Sequence, residues 1–519
     1  MSAPVSRKSS IRHDLTQLPL FLLMFGVGVA SMFIPAGYAV IADKHGTSQA
    51  FFYAGLLGSA TFLLIGIAHA GRAPRFGTLG PLLSLFSAFV FLPVIFAIPF
   101  VEALPTTRFY NAYFEMLSAF TTTGATLFDD PARLGPSLHL WRAQVGWMGG
   151  LLMWVAAVAI LAPLNLGGFE VTAQAEPGRR DTGNEGGTND TTPLSPRRRI
   201  GRAVRTLAPL YIGLTLVLWV LLIISGQDAF NAWIHAMSVL ATSGISANGA
   251  QGMADGGLPG ELVMAGFMLL ALSRLTFSAD TVTATQGGLR TDPEFRIGIA
   301  IIMLVPVVLF GRHFLGAFDL DSSNTFAEAF KAMWGSLFTV ISFLSTTGFV
   351  SGYWSETQSW SGLGTPGLIL MGLALVGGGV ATTAGGVKLL RVYALYRNAV
   401  REMERLVHPN SVSGAGVAGR RLQSGGAFIA WIFFMLFALS FTGVTLALTL
   451  VGVTFDEALV LAIAMLTTTG PLTAVGGEAP IVLITLSDPA KAILAGAMVL
   501  GRLETLAIIA LLTPDLWRS

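Results

Sequence analysis

The sequence predicts an all-α polytopic membrane protein with four parallel helix–pore loop–helix repeats around a pseudo-fourfold pore, plus two extra N-terminal helices. Three observations lead to this fold class. Hydrophobic residues make up 53% of the 519 residues and charged residues only 12%, whereas soluble domains average about 25% charged residues. Apolar runs that can span a hydrocarbon core about 30 Å thick recur along the chain. A short motif ending in glycine occurs four times at nearly even spacing.

The N-terminal pair of helices is expected at about 17–42 and 49–70. The first apolar run follows Arg7, Lys8 and Arg12. It is longer than a signal-peptide core and has no convincing cleavage site, so we interpret it as a retained membrane helix. The chain has no cysteine, which excludes disulfides, thiolate metal sites and cysteine nucleophiles.

Each repeat is predicted to contain a leading helix, a short half-helix with its loop, and a trailing helix. In chain order the bounds are 78–104, 110–130 and 138–163; 204–226, 229–250 and 258–285; 295–317, 324–350 and 362–400; and 426–453, 456–475 and 485–513. This organisation gives ten spanning helices and four half-helices. The corresponding units are the N-terminal pair (1–77), repeat one (78–163), a cytoplasmic linker (164–203), repeat two (204–290), repeat three (291–400), a cytoplasmic loop (401–425) and repeat four (426–519).

The distribution of lysine and arginine indicates the orientation. With the N-terminus in the cytoplasm, the cytoplasmic segments and Arg205 at the inner end of its helix hold 22 of the 31 Lys and Arg residues. This bias follows the positive-inside rule. It predicts cytoplasmic N- and C-termini and places all four glycine loops on the outer side. The polar segment 176–195 is expected to be a disordered cytoplasmic linker.

The four glycine loops contain the candidate ion-binding residues. Each loop follows a segment of about ten residues, which is too short to span a membrane but suits a half-helix whose negative dipole end faces the loop. Glycine permits backbone angles and close approach that other residues do not. Main-chain carbonyls of four such loops can replace the water around a cation, and threonine hydroxyls can hold the loop or add oxygens. The residues concerned are Thr122, Thr123, Gly124, Thr242, Ser243, Gly244, Thr346, Thr347, Gly348, Thr468, Thr469 and Gly470.

An alternative explanation of each loop is a common turn with glycine as the helix C-cap. Four copies at matched spacing, each flanked by helices on the same side, favour an ion filter instead. No acidic residue lies in any of the loops, which argues against a divalent-cation filter built from carboxylates. Ala241 departs from the pattern, because the other three loops have Thr or Ser at that position.

These loops, together with the stretches 141–150 and 377–388 and the sequence Gly501-Arg502-Leu503-Glu504, resemble the Trk/Ktr/HKT superfamily of potassium transporters. The two extra N-terminal helices are similar to the TrkH type. In this family a glycine in all four loops goes with potassium preference and a serine in the first loop with sodium, so Gly124 implies potassium as the transported ion. The resemblance also implies a homodimer with one pore per protomer and a cytosolic TrkA-type ring. Nucleotide would bind only to that regulatory partner, and no prosthetic group is implied.

The glycine-rich stretch 377–386 interrupts the trailing helix of repeat three. Each glycine in a helix costs up to about 1 kcal/mol relative to alanine, and broken helix inside a membrane persists only where it faces protein or water. One interpretation is a kink for tight packing. The other, which the resemblance supports, is a flexible loop beneath the filter that obstructs the pore. The candidate gate residues are Gly377, Gly378, Gly379, Thr382, Thr383, Gly385, Gly386 and, in repeat four, Arg502.

Arg502 lies in an apolar trailing helix, where a charge costs several kcal/mol unless it faces water or a partner. It is expected to project towards the conduction path and to pull the glycine-rich stretch into place; a structural ion pair, for example with Glu504, is the alternative. Arg274 and Asp280 either pair with each other or line the inner vestibule. Residues 414–419 match a dinucleotide fingerprint by letters alone, without the strand or βαβ unit it requires, and are interpreted as a flexible turn.

The predicted function is therefore potassium uptake across the bacterial inner membrane as part of a Trk system, by channel-like conduction or symport, and without enzymatic activity. Alternatives are a sodium or sodium-coupled cation transporter of the same superfamily and an unrelated secondary transporter with helix breaks at the midplane. Repeats separated by an even number of spans are parallel, which disfavours most inverted designs. A non-transporting receptor or scaffold would not need four glycine loops. Segment 388–425 is the candidate contact with the regulatory ring.

Overall fold

The computed structural model describes residues 19–69, 80–164, 166–169, 196–249, 256–273, 292–316, 326–363, 365–407, 426–504 and 508. Within these ranges all regular secondary structure is helical. The N-terminal pair consists of α1 (Leu20–Ser31), α2 (Phe33–Ile41) and α3 (His45–His69). The first predicted helix is therefore interrupted at Met32, but α1 and α2 together still form one span of 22 residues.

The first two repeats follow the predicted order. Repeat one has α4 (Gly80–Ala103), the half-helix α5 (Phe109–Phe120) and α6 (Pro136–Ala156), which continues through a π turn (Ala157–Leu161) and a 3₁₀ turn (Ala162–Leu164). Repeat two has α7 (Pro196–Ile224), the half-helix α8 (Ala229–Ala241) and α9 (Gly257–Met268), which ends in a 3₁₀ turn (Leu269–Leu272).

The other two repeats have more interruptions. Repeat three has α10 (Pro293–Gly316), the half-helix α11 (Phe326–Leu344), α12 (Trp354–Ser361), α13 (Gly367–Val376) and α14 (Leu389–Val407). Repeat four has α15 (Gly426–Leu450), the half-helix α16 (Phe455–Leu466), a short α17 (Leu472–Val475) and α18 (Asp488–Leu503). Half-helix α11 is longer than predicted. Its first turns are mostly exposed, and its buried part begins after them.

Seven described helices are long and apolar enough to cross a membrane. They comprise the N-terminal pair, the four leading helices and the trailing helix of repeat one. The trailing helices of the other three repeats are shorter in the described residues; in repeat three the cause is the glycine-rich stretch, and in repeat two the residues beyond Ser273 lie outside the described part. Helix length within the described residues therefore supports seven of the ten predicted spans.

Burial places the half-helices and the trailing helix of repeat one at the centre. In the most apolar stretch of that trailing helix, 78% of the residues are buried. In the corresponding stretches of α3 and α15 only 17% are buried. Helices α3 and α15 present large apolar side chains outwards, such as Leu57, Leu64 and Leu439, as expected for surfaces that face lipid.

Two glycines bring trailing helices close to the ends of half-helices. A Cβ atom at Gly149 would overlap the carbonyl of Phe120, and one at Gly501 would overlap the carbonyl of Leu466. Phe120 and Leu466 are the last residues of half-helices α5 and α16. Repeats one and four therefore hold the start of their loops against the trailing helix by the same close contact, which a larger residue would prevent.

Candidate functional site

The four glycine loops share an unusual backbone conformation. The equivalent threonines Thr122, Thr242, Thr346 and Thr468 have φ angles of 55°, 50°, 57° and 53°. This left-handed region is uncommon for residues with a Cβ and is unfavourable for a β-branched side chain. The same strained angle at the same position in each repeat shows that the four half-helices end in the same turn.

A repeated hydrogen bond sets this geometry. The N–H of the residue after each left-handed threonine donates to the carbonyl five positions earlier in the half-helix, at 2.8–2.9 Å. The donors are Thr123, Ser243, Thr347 and Thr469, and the acceptors are Ser118, Ser238, Ser342 and Ala464. The bonds satisfy carbonyls that a helix C-terminus otherwise leaves without an intrahelical partner.

Side-chain hydroxyls add a second tie in each loop. The hydroxyls of Thr121 and Thr123 lie 2.8 Å apart, and Ser345 with Thr347 and Thr467 with Thr469 form the same pair at 3.0 and 3.2 Å. In repeat two, Ala241 has no hydroxyl to contribute. There the Ser238 hydroxyl binds that of Ser243 at 3.1 Å, so the half-helix supplies the missing tie.

The loops meet in a closed ring, which we define as residues 122–124, 242–244, 346–348 and 468–470. A Cβ atom at Gly124 would overlap the carbonyl of Ser243, and one at Gly244 the carbonyl of Thr347. Gly348 lies against Pro471, and Gly470 lies against Thr123 and Ala125. Each loop therefore touches the next, and the last returns to the first.

Loop four departs from the symmetry of the ring. Its glycine, Gly470, does not have the positive φ angle of Gly124, Gly244 and Gly348. The N–H of Gly470 instead donates to the Thr123 carbonyl at 2.6 Å. One main-chain oxygen of the ring is thereby bonded to a neighbouring loop.

The electrostatics of the ring favour a cation. Each loop follows the C-terminal end of a half-helix, where the helix dipole places about half a negative charge. The four left-handed threonines are at most 2% exposed, and the hydroxyls of Thr122 and Thr468 have no hydrogen-bond partner among the described residues. No cluster of His, Asp or Glu suited to a metal occurs in the described part of the chain. The oxygens at the ring thus come from main-chain carbonyls and hydroxyls.

The glycine-rich loop, defined here as residues 377–388, is a non-helical hairpin between α13 and α14. It begins and ends with left-handed residues, Gly377 at φ 70° and Lys388 at φ 82°. Its two arms are joined at the base, because the N–H groups of Val387 and Lys388 donate to the carbonyls of Leu375 and Val376 at 2.9 Å. The predicted interruption of the trailing helix is therefore a folded loop and not a kink.

The tip of the glycine-rich loop contacts the ring. The hydroxyl of Thr242 donates to that of Thr383 at 3.0 Å, and the N–H of Gly385 donates to the Thr346 hydroxyl at 2.8 Å. A Cβ atom at Gly385 would overlap the carbonyl of Thr467 in loop four. The glycine-rich loop therefore contacts three of the four loops of the ring. It forms hydrogen bonds with two of the four threonine hydroxyls.

Arg502 binds the same tip. Its side chain is 4% exposed, and Nη1 donates to the Thr383 carbonyl at 2.6 Å. Its Nε and Nη2 atoms have no hydrogen-bond partner among the described residues. Glu504 pairs instead with Arg391 at 2.5 Å. The proposed ion pair between Arg502 and Glu504 is therefore not the contact that the structure contains.

Further contacts brace the glycine-rich loop. The N–H of Val380 donates to Glu294 at 3.2 Å, and the Lys388 ammonium group donates to the Ala384 carbonyl. Arg391, which is fully buried, also lies over the ring of Phe433 at 3.5 Å. Charged groups on α10, α14 and α18 thus surround the base of the loop.

The sequence analysis missed the polar residues behind the ring. Glu115 and Arg142 form a buried ion pair of 2.7 Å, and Glu261 accepts the N–H of Gly352 at 2.7 Å. The signal that could have found Glu115 was its alignment with His235 when the half-helices are superposed by repeat. Arg274 and Asp280 lie outside the described residues, as do most of the linker 164–203 and residues 408–425.

Comparison with known proteins identifies the family of the chain. The sequence model of the TrkH family, described as a cation transport protein, matches residues 299–517. The Trk system potassium uptake protein TrkH of Vibrio parahaemolyticus is 30% identical over 82% of this chain and 83% of its own length. The TrkH protein of Halomonas elongata is 30% identical over 98% of this chain and 100% of its own length.

The fold gives the same result. The crystal structure of the potassium transporter TrkH from Vibrio parahaemolyticus matches with a TM-score of 0.80 at 26% identity, covering 97% of this chain and 99% of that chain. The resemblance and the all-helical membrane fold class predicted from the sequence are both confirmed. The chain is a membrane protein that belongs to the TrkH family of cation transport proteins.

Proposed function

We propose that this chain is the potassium-translocating subunit of a bacterial inner-membrane uptake system. The observation that carries the proposal is the ring, in which four buried loops, each with a left-handed threonine, close on each other at the ends of four half-helices. The relatives described as potassium uptake proteins support the choice of ion. Gly124 supports it too, since serine at that position goes with sodium in the superfamily.

Potassium passes down its electrochemical gradient through the ring. Main-chain carbonyls next to Gly124, Gly244, Gly348 and Gly470 replace its water shell, and the negative ends of the half-helices offset the cost of dehydration. The Gly470 N–H binds the Thr123 carbonyl and competes with an ion for one of the two lone pairs of this oxygen.

The glycine-rich loop is the gate. It binds the hydroxyls of Thr242 and Thr346 on the inner side of the ring and so obstructs the path. The Thr346 oxygen also accepts the Gly385 N–H, which competes with a passing ion for that oxygen. Arg502 adds a positive charge at the same level and holds the tip through Thr383. Opening requires these contacts to break while the base of the loop remains joined.

The remaining assignments follow from charge and family likeness. The N- and C-termini are cytoplasmic, and the units are the N-terminal pair, the four repeats, the linker 164–203 and the cytoplasmic loop 401–425. The protein forms a homodimer and binds a cytosolic, nucleotide-binding TrkA-type ring. Helix α14 supports the last point, because it leads from the gate and exposes Tyr396, Met403 and Leu406 by 64%, 58% and 83%.

Two experiments test the proposal. The chain is expressed in a strain that lacks potassium uptake, where it is expected to restore growth at low potassium. The purified protein is then placed in proteoliposomes, where potassium flux is expected to exceed sodium flux. A protein that reaches the membrane, fails to restore growth and carries no potassium would refute the function.

The regulatory contact is tested separately. Deletion of 388–425 is expected to abolish capture of the TrkA-type ring in a pull-down while the protein still inserts in the membrane. Ring retained by the deletion variant would refute this segment as the contact.

A further inference from the structure

A buried ion pair lies behind loop one. Glu115 on α5 is 1% exposed and Arg142 on α6 is 5% exposed. Arg142 Nε lies 2.7 Å from Glu115 Oε1, an ionic contact without the alignment of a hydrogen bond. The second oxygen, Oε2, accepts the N–H of Leu127 at 3.0 Å. The Glu115 carboxylate therefore connects Arg142 of the trailing helix with Leu127, which lies three residues after Gly124.

The other repeats have different residues at this position. Alignment of the half-helices at Ser118, Ser238, Ser342 and Ala464 pairs Glu115 with His235, Thr339 and Leu461. The same aligned position therefore has a carboxylate in repeat one, an imidazole in repeat two, a hydroxyl in repeat three and an apolar side chain in repeat four.

Two of these residues make an equivalent contact without a charge pair. His235 connects Gln227, at 3.0 Å, to the Ser246 hydroxyl, at 3.2 Å. Thr339 accepts the N–H of Ser351 at 3.4 Å. Ser246 and Ser351 both follow their loop glycine, so this position supports the outward return of the loop in repeats one, two and three.

Loop one also contacts both of its neighbours in the ring, so a displacement of loop one would be passed to them. Gly124 lies against the Ser243 carbonyl of loop two, and the Thr123 carbonyl accepts the N–H of Gly470 in loop four. Movement of the return at Leu127 therefore reaches both neighbouring loops.

We propose that Glu115 and Arg142 are positioning residues for ion discrimination, and this inference rests on the proposed function. The pair holds the outer end of loop one, which keeps the carbonyls of Thr123 and Gly124 at the spacing suited to potassium. Loss of one partner leaves the other charge buried and unpaired, so the loop or its support must rearrange. If the carbonyls of the ring can move closer together than potassium requires, the ring can also bind the smaller sodium ion.

The test is Glu115→Gln in the full-length protein in proteoliposomes. Glutamine keeps a carbonyl oxygen for the Leu127 N–H and removes the charge. The ratio of potassium to sodium flux is expected to fall about tenfold, because binding groups must be held to within about 0.5 Å. Potassium flux should persist, since the gate is untouched. An assembled Glu115→Gln protein with the wild-type ratio would overturn the inference.

Arg108→Gln is the matched control. It removes the arginine of an exposed pair with Asp488, 2.9 Å long, in which the side chains are 71% and 45% exposed. Exposed pairs contribute little, so the flux ratio should not change. A fall equal to that of Glu115→Gln would show a general charge effect and reject a positioning role.

A double variant covers the case in which the single variant does not assemble. Glu115→Gln with Arg142→Gln removes both charges together and leaves no unpaired ion in the interior. A lowered flux ratio in the double variant supports the inference, and the wild-type ratio rejects it. If the wild-type protein itself does not prefer potassium, the proposed function fails instead, so the two failures are distinguishable.

Discussion

The ring and the glycine-rich loop both depend on left-handed backbone, yet they are held in different ways. The ring repeats the same turn four times, with each loop bonded to its own half-helix and packed on its neighbours. The glycine-rich loop occurs once; its arms are joined at the base and braced at Val380 by Glu294, while its tip depends on contacts made by Thr383 and Gly385. Many contacts hold the ring, whereas few hold the tip of the glycine-rich loop, as the proposed gate requires.

The comparison predicts that a change in the ring has the largest effect. Gly124→Ala is expected to lower potassium flux about a hundredfold, because a displacement near 1 Å at a site of this kind costs that much and its Cβ would overlap the Ser243 carbonyl. Proteoliposome flux measures the loss.

Gly452→Ala is the control for this substitution. Gly452 also has a positive φ, 93°, but no atom lies within 4 Å of the added Cβ. It should suffer the backbone strain, about 1–2 kcal/mol, without loss of flux. Equal flux losses in the two variants would show that strain, not crowding in the ring, explains the effect.

Arg502→Ala is expected to raise flux about tenfold. A hydrogen bond from a charged donor contributes about 1.5–3 kcal/mol, and about 1.4 kcal/mol corresponds to a factor of ten. Ion selectivity should be unchanged, since Arg502 contacts the loop and not the ring. Arg502→Lys, which keeps a positive charge, should show a smaller rise; unchanged flux in Arg502→Ala at normal expression would remove Arg502 from the gate.

Thr383→Val is expected to raise flux about threefold to tenfold. The variant loses bonds with the Thr242 hydroxyl and the Leu240 carbonyl, and neutral hydrogen bonds contribute about 1 kcal/mol each. Thr382→Val is the paired variant, because the Thr382 hydroxyl binds Gly379 within the glycine-rich loop itself. If both variants raise flux equally, contact with the ring is not what holds the loop closed.

Ala241→Ser should have the smallest effect. It restores the hydroxyl that the other three loops have, but Ser238 already binds Ser243 in its place. We expect the ratio of potassium to sodium flux to change less than about twofold, because a neutral hydrogen bond adds about 1 kcal/mol at most to a loop already tied. A large change in the ratio would mean that the tie from Ser238 is a poor replacement.

Several features of the site could be predicted from local patterns. The order of half-helix, loop and trailing helix, the equivalence of Thr122 with its three counterparts and the interruption at Gly377 all have local causes. For Arg502, the sequence offered the glycine-rich stretch as the expected partner and Glu504 as the alternative, without naming the contacting residue. Glu504 is near Arg502 in sequence, but Glu504 pairs with Arg391 while Arg502 binds the Thr383 carbonyl. Residues more than a hundred positions apart form both contacts, and no local pattern encodes them.

Membrane insertion, the number of repeats and the position of each loop follow from the chain alone, because apolar length and the preferences of glycine and threonine act over a few residues. Other features depend on packing between distant segments. They are the contacts between loops, the bond from the Gly470 N–H to the Thr123 carbonyl, and the ion pair of Glu115 with Arg142. Such contacts form only when several helices bury their faces together, since a buried polar group is stable only with a partner that the whole fold supplies.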